Sequence, residues 1–196
     1  APDWDATVPE PGFRPEIDEE ALRPAPRAEV KPQRRLLVLG WSHRVPALLE
    51  ELESYENERF EVLVASMVSV REREEAVAQH DLAGERVRVE QRRLDYTVPN
   101  DIEKLDLGNW DNVVIVASDW LPTGEESDAR TIVGYLLLQE ILSEETRGTR
   151  LLVELMDPEN VDLLGRHACE VLVSPVILSH MLAQIALRRE LACVFD

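Results

Sequence analysis

The residues best placed to do chemistry lie at a predicted strand end, in the segment Gly-Trp-Ser-His-Arg-Val at residues 40–45. Dinucleotide-binding domains place three glycines here, for a tight turn, for backbone approach to pyrophosphate and for helix–strand packing. This segment supplies only Gly40, and the bulky Trp41 follows it. The second apolar strand ends in Ser66 and Met67, where an acidic residue would hold the ribose. The pattern therefore disfavours NAD as a ligand.

Acidic residues gather in the segment 118–130, which joins the fourth predicted strand to its helix. Hard divalent cations bind several carboxylate oxygens. We predict a cation site from three acids at neighbouring strand ends, Asp119, Glu154 and Asp157. The alternative is that the acids of this region serve the fold, with Asp128 capping a helix and Arg130 bonding a neighbouring carboxylate.

The other common catalytic and metal-binding patterns are missing from the sequence. The four histidines have no metal-ligand spacing, and neither a Gly-x-Ser-x-Gly elbow nor a Gly-x-x-x-x-Gly-Lys-Ser/Thr loop occurs. Only two cysteines occur, Cys169 and Cys193, which excludes a disulfide framework and suits a reducing, cytoplasmic compartment. The sequence therefore does not predict an enzyme.

The amino-acid composition argues against some classes of binding partner. The formal net charge of −18 argues against nucleic acid, because binding to its backbone needs clustered lysine and arginine. No run of about 18 apolar residues occurs, so direct membrane insertion is not expected. Seven of the 12 prolines fall within residues 1–34, which lack hydrophobic periodicity. This segment is predicted to be an extended linker or arm.

From residue 35 onward, short apolar segments alternate with segments of helical periodicity. Strands are predicted at 36–41, 60–66, 86–95, 111–119, 150–157 and 170–175, and helices at 45–55, 69–80, 98–107, 127–144, 158–167 and from 176 onward. Ser69 and Glu72 form a capping-box pattern, and Ser127 or Asp128 is predicted to cap the long helix. The alternating strand 86–95 suits a sheet edge.

This alternation predicts an α/β fold over residues 35–175, a Rossmann-like, doubly wound parallel sheet in the strand order 3-2-1-4-5-6. Ligands of such sheets bind beyond the carboxyl ends of the strands, at the switch point between the first and fourth strands. The residues discussed above therefore converge on one crevice.

The last helix, 176–196, is apolar over much of its circumference and follows a Rossmann unit that is already complete. Such a helix packs on another subunit or returns to its own sheet. We favour the subunit contact, and the predicted interface residues are Leu178, Met181, Leu182 and Ile185.

Four segments together resemble one family. They are LLVLGWSHRVPALLEELESY at 36–55, NVVIVASD at 112–119, SDARTIVGYLLLQEI at 127–141 and LLVELMDPEN at 151–160. Their order and spacing are similar to those of the TrkA-N type domains that regulate potassium conductance (RCK domains), in particular those of the CASTOR/POLLUX ion-channel family. The resemblance covers residues 35–196.

The resemblance implies a non-catalytic domain on the cytoplasmic face of a tetrameric cation channel. Copies would pair through the last helix, a truncated crossover helix, and assemble into a gating ring that binds Ca²⁺ or a nucleotide. The pore and a C-terminal lobe would belong to parts of the protein outside this fragment. The arm at 1–34 would connect an earlier module.

The predicted ligand set combines the crevice positions that the resemblance implies with polar residues expected at the same edge: Gly40, Trp41, Ser42, Arg44, Ser66, Asp119, Asp128 and Arg130. For Arg44, a phosphate at the helix N-terminus and a surface acid are alternative partners. Two other functions stay open. One is a degenerate NAD(P)-binding domain of an oxidoreductase, and the other is a pure oligomerisation scaffold, which a crevice blocked by Trp41 would favour.

Overall fold

Six parallel strands form one sheet in the order β3-β2-β1-β4-β5-β6 in a computed structural model, which describes residues 33–80, 82, 84–141, 148–165 and 169–187. The strands are β1 (Gln33–Leu39), β2 (Arg59–Ser66), β3 (Val87–Arg93), β4 (Asn112–Ile115), β5 (Arg150–Leu155) and β6 (Glu170–Val173). The predicted strand order and the edge position of β3 are confirmed. Residues 1–32 of the predicted arm and 188–196 of the predicted last helix lie outside the described residues.

The helices are α1 (Arg44–Glu53), α2 (Val70–Val77), α3 (Pro99–Ile102), α4 (Gly124–Ile141) and α5 (Ser174–Leu187). Helix α2 begins as predicted, because the Ser69 hydroxyl accepts the N–H of Glu72. The predicted helix at 98–107 is instead α3 followed by two 3₁₀ turns, since Asp106 has a φ of 47° and interrupts it. The predicted helix at 158–167 is a 3₁₀ helix, Pro158–Leu164, which ends at Gly165.

Helix α4 begins upstream of the predicted cap. The Thr123 hydroxyl accepts the N–H of Glu126 at 3.1 Å, and Glu125 adds a second negative charge to the first turn. Ser127 and Asp128 therefore lie inside the helix, each only 1% exposed. The prediction that one of them caps α4 is wrong, because Thr123 offers an earlier cap.

Apolar side chains cover both faces of the sheet, as expected of parallel strands. One face packs against α1 and α2 through alternate strand residues such as Val38 and Val64. The opposite face packs against α4, where Tyr96 is buried against Gly134. A Cβ at Gly134 would lie 2.6 Å from a ring carbon of Tyr96, so glycine lets α4 approach the sheet. This packing fixes α4 beside the carboxyl ends of the strands.

Candidate functional site

Gly40 lies at the centre of the predicted site, where β1 ends beside β4. Its φ is 98°, and its N–H donates to the carbonyl oxygen of Ala65 at 2.9 Å. A Cβ at this position would lie 2.7 Å from the carbonyl oxygen of Val116. The tight turn and the close approach to the chain after β4 both require glycine here.

Trp41 and Arg73 fill the space above the ends of β2 and β3. Trp41 is 7% exposed, and the Arg73 guanidinium lies 5.8 Å from the centre of its ring. Arg73 donates to the carbonyl oxygens of Val64 at 2.9 Å and Arg92 at 3.0 Å, and to the side-chain oxygen of Gln91 at 2.6 Å. We call this filled region the closed half of the crevice.

The end of β2 offers no acid for a ribose, because Ser66 and Met67 stand there. Burial lowers the pKa of the Arg73 guanidinium. The acceptors described for this guanidinium are all neutral oxygens, and they include the carbonyl oxygen of Val68. Ser66, a predicted ligand residue, is buried, and its hydroxyl accepts the N–H of Val68 at 3.2 Å. Ser66 therefore shapes the turn after β2.

A cavity of about 140 Å³ lies beside the ends of β4 and β5. Its lining includes Arg44, Ser118, Asp119 and the start of α4. We call this region the open half of the crevice. It is smaller than the roughly 300–1,000 Å³ typical of pockets for drug-sized ligands, so it suits a small ligand. Ser42, another predicted ligand residue, is buried, and its hydroxyl accepts the N–H of Arg44.

His43 and Asp119 bridge the two loops that border the open half. The N–H of His43 donates to Oδ2 of Asp119 at 2.7 Å, and its imidazole Nδ1 contacts the same oxygen. The Asp119 side chain is 33% exposed. Asp119 therefore stands at the mouth of the crevice, as predicted by its position after β4, but it already has a partner.

Arg44 pairs with a buried acid. Its Nη2 lies 2.9 Å from Oε1 of Glu154, whose side chain is only 10% exposed. The second carboxylate oxygen of Glu154 accepts the N–H of Ala117 at 2.9 Å, and the Ser174 hydroxyl donates to Oε1. Of the two alternatives for Arg44, the structure contains an acidic partner, but it is the buried Glu154 and not a surface acid.

Two residues of the Ser-Asp-Ala-Arg segment bind the ends of β4 and β5. The Ser127 hydroxyl accepts the N–H of Ser118 at 2.7 Å. The Asp128 carboxylate accepts the N–H groups of Met156 at 2.8 Å and Asp157 at 2.9 Å. These contacts are structural, so the carboxylate of Asp128, a predicted ligand residue, serves β5 in this structure.

Arg130, also a predicted ligand residue, ties α4 to the chain after β3. Its Nη2 donates to Oδ1 of Asp95 at 2.7 Å, and its guanidinium lies 5.3 Å from the ring centre of Tyr96 and 5.9 Å from that of Trp120. Burial raises the pKa of Asp95, but hydrogen bonds from Thr97 and Arg130 outweigh it and hold the pKa below its ordinary value. The structure therefore contains the alternative predicted for Arg130, a bond to a neighbouring carboxylate.

The three predicted cation ligands do not form one site. Asp119 contacts His43, Glu154 contacts Arg44, and Asp157 accepts the N–H of Glu159 at 2.9 Å. In the described ranges, no group of three or more His, Cys, Asp or Glu side chains is placed to hold a metal ion. A cation bound by Asp119 would have to compete with His43.

Helix α5 has no buried residue among those described, although its sequence is apolar. Leu178 is 57% and Leu182 is 58% exposed, while Met181 and Ile185 are half-buried. All four predicted interface residues thus lie on a helix whose apolar side chains are largely uncovered. None of the helices in the described ranges combines the length and apolar character that a bilayer crossing requires.

The sequence reasoning missed the importance of Arg73 and Thr123. Arg73 lies at helical spacing from Val70 and Val77, on the inward side of α2, and a charged residue at such a position signals a buried polar contact. Thr123 directly precedes Gly-Glu-Glu, a pattern typical of a helix start. Both signals were present, but they compete with stronger local patterns.

No protein-family model matches the chain. Among solved structures, the chain is similar to the human SLO3 gating ring, at 11% identity and a TM-score of 0.48 over 71% of this chain and 24% of that one. It is also similar to the GsuK channel, at 15% identity and a TM-score of 0.48 over 79% of this chain and 24% of that one.

Plant ion channels are similar to this chain in sequence. The probable ion channel POLLUX of Arabidopsis thaliana is 27% identical over 178 residues, which cover 87% of this chain and 21% of the relative. The ion channel DMI1 of Medicago truncatula is 26% identical over 178 residues, covering 87% and 19%. The chain thus spans about a fifth of the length of these relatives. It is a homologue of the CASTOR, POLLUX and DMI1 ion channels.

Proposed function

We propose that this chain is a non-catalytic regulatory domain of a cation channel, located on the cytoplasmic face of a membrane and assembled with other copies into a gating ring. The observation that carries the proposal is the match to named ion channels across 87% of the chain. A pore would lie outside the part of the relatives' length, about a fifth, that this chain spans.

The exposed apolar surface of α5 supports assembly. Residues 174–187 contain no acidic residue, lysine or arginine, and Leu178 and Leu182 are each more than half exposed. A helix that leaves such side chains in water gains free energy by covering them. A second copy of the same helix offers a matching surface, and a two-fold contact of this kind closes on itself.

A size measurement tests the interface. Leu182→Asp and Ile185→Asp each place a charge in the contact and are expected to dissociate the oligomer in sedimentation velocity. Leu163→Asp is the matched control, because Leu163 is a 62% exposed leucine outside α5. The interface assignment fails if the two α5 variants sediment like the wild type.

The open half is the proposed sensing site. It contains a cavity of about 140 Å³, the cation Arg44 and the partly exposed carboxylate of Asp119. A ligand can bias the ring only if it binds two ring states with different affinity. Because Trp41 and Arg73 fill the closed half, a small ligand fits this crevice better than a dinucleotide does.

Thermal unfolding with Ca²⁺ or NADH separates the alternatives. Binding to the folded state alone adds about 2.7 kcal/mol of stability at a hundredfold excess over the dissociation constant. A Ca²⁺-dependent rise in the midpoint that Asp119→Asn abolishes supports a cation-sensing gate. A rise with NADH, together with hydride transfer, supports the oxidoreductase alternative. No rise with either ligand supports a scaffold, which the filling of the closed half by Trp41 favours.

A further inference from the structure

Glu154 joins three elements through one buried carboxylate. It lies on β5, accepts the N–H of Ala117 after β4 at 2.9 Å, and pairs with Arg44 at 2.9 Å. The Ser174 hydroxyl donates to the same oxygen, Oε1, that pairs with Arg44. One oxygen atom therefore links the open half of the crevice to a second region of the molecule.

That second region is the start of α5. Ser174 is the first residue of α5, and Arg44 is the first residue of α1 and lines the open half. No described residue of α5 is buried, and the helix follows β6 directly along the chain. A hydrogen bond to a charged group at its first residue therefore contributes to the direction in which α5 leaves the sheet.

We propose that Glu154 is a positioning residue that couples Arg44 in the open half to the orientation of α5, and through α5 to the pairing of two copies. This inference rests on the proposed function, because it requires that α5 forms the contact between copies. A small anion bound in the open half competes with Glu154 for the Arg44 guanidinium. The carboxylate then keeps only neutral donors and is drawn toward water, which weakens its hold on Ser174.

Linkage makes the coupling reciprocal. If withdrawing Arg44 weakens pairing, then pairing must favour the state in which Arg44 remains on Glu154. The Glu154 side chain is 10% exposed and the Arg44 side chain 40% exposed, so Arg44 is the member that a ligand can reach. The three groups thus form a contiguous chain of contacts from crevice to helix, and coupling energies measured across it test the assignment.

A double-mutant cycle tests the proposal while leaving the buried Glu154 in place. Arg44→Gln and Ser174→Ala are each expected to raise the dissociation constant of the dimer about tenfold, the loss expected for one hydrogen bond to a charged group. Because both act through Glu154, the double variant is expected to be only slightly weaker than either single one. Arg44→Lys and Ser174→Thr keep the charge and the hydroxyl and are expected to restore most of the affinity.

Arg34→Gln is the matched control. Arg34 also pairs with a glutamate, Glu58, at 2.7 Å, but at the amino end of β1 and away from α5. The dissociation constant of the Arg34→Gln dimer is expected to equal that of the wild-type dimer. The thermal midpoint of each variant, measured alongside, confirms that the fold is intact.

The outcomes separate the two proposals. Unchanged dissociation constants for Arg44→Gln and Ser174→Ala, or strictly additive effects in the double variant, overturn the coupling while Leu182→Asp still dissociates the dimer. A wild-type chain that remains monomeric, or a dimer that Leu182→Asp leaves intact, overturns both the coupling and the α5 contact.

Discussion

Both halves of the crevice lie at the carboxyl ends of parallel strands, but different side chains bind these strand ends in each half. In the closed half, Arg73 binds the ends of β2 and β3, and Trp41 packs against it. In the open half, Ser127 and Asp128 of α4 bind the ends of β4 and β5, and a cavity of about 140 Å³ remains. Side chains bind backbone groups in both halves, and the open half keeps a cavity beside them.

This difference separates a tightly packed edge of the sheet from an edge that keeps a cavity. A buried indole and guanidinium turn the closed half into core, where changes alter stability. In the open half the side chains of Arg44 and Asp119 remain partly exposed, so substitutions of these two residues are expected to change stability less than substitutions in the closed half. The following variants test this division, in order of decreasing expected effect.

Trp41→Ala is expected to have the largest effect. Removing a buried indole leaves a cavity and lowers the free energy of unfolding by about 3–5 kcal/mol, as measured by urea denaturation. Trp120→Ala is the matched control, since Trp120 is 43% exposed and packs on Arg130 at the mouth of the crevice. Its expected loss is below about 1 kcal/mol. Equal losses for the two variants would contradict the division into a packed closed half and a partly exposed open half.

Arg73→Met tests the polar side of the closed half. Methionine keeps much of the apolar stem but leaves the carbonyl oxygens of Val64 and Arg92 buried without their donor. The expected loss in the free energy of unfolding is about 2–3 kcal/mol. Arg71→Met, on the exposed side of the same helix, is expected to change it by less than about 0.5 kcal/mol. A neutral Arg73→Met would mean that the guanidinium only fills space.

Asp128→Asn tests the open half. The carboxylate accepts two backbone N–H groups at the end of β5, and an amide would turn an NH₂ group toward one of them. The expected loss in the free energy of unfolding is about 2 kcal/mol, again by urea denaturation. The exposed Asp162→Asn serves as the control, with an expected change below about 0.5 kcal/mol. A stable Asp128→Asn variant would return Asp128 to the ligand-binding residues.

The sheet was predictable because its signal is local and repeated. Apolar runs such as 36–39 and 62–65 are flanked by helical segments, and right-handed crossovers then leave few strand orders. The cap of α2 was predictable for the same reason, since Ser69 and Glu72 lie within one turn.

The site was harder to predict because its partners are distant in sequence. Nothing local indicates that His43 contacts Asp119 or that Arg44 contacts Glu154. Acids at strand ends predict a cation site, but tertiary contacts gave each predicted ligand a different partner. The sequence predicts Asp128 as a helix cap, but its carboxylate accepts a backbone N–H just after β5.

Asp95 joins the two halves and gives the smallest expected effect. It follows β3 in the closed half and binds Arg130 of α4. Burial raises its pKa, but the hydrogen bonds from Thr97 and Arg130 outweigh this and lower it from the ordinary value of 3.8. The stability that the carboxylate contributes is therefore fully present above that ordinary value and is lost as pH falls through the pKa of the folded state.

Asp95→Asn is expected to lower stability at neutral pH and to flatten the loss of stability as pH falls below the ordinary value of 3.8, because asparagine does not titrate there. The measurement is the urea midpoint across this range. Thr97→Val removes one donor to Asp95 and is expected to fall between wild type and Asp95→Asn. An unchanged slope in Asp95→Asn would assign the acid sensitivity to other carboxylates, first Glu53. Burial raises the pKa of Glu53 too, but backbone N–H groups at the start of β3 outweigh it and lower that pKa. The acid-sensitive contact would then lie at the amino end of β3 and not between the two halves of the crevice.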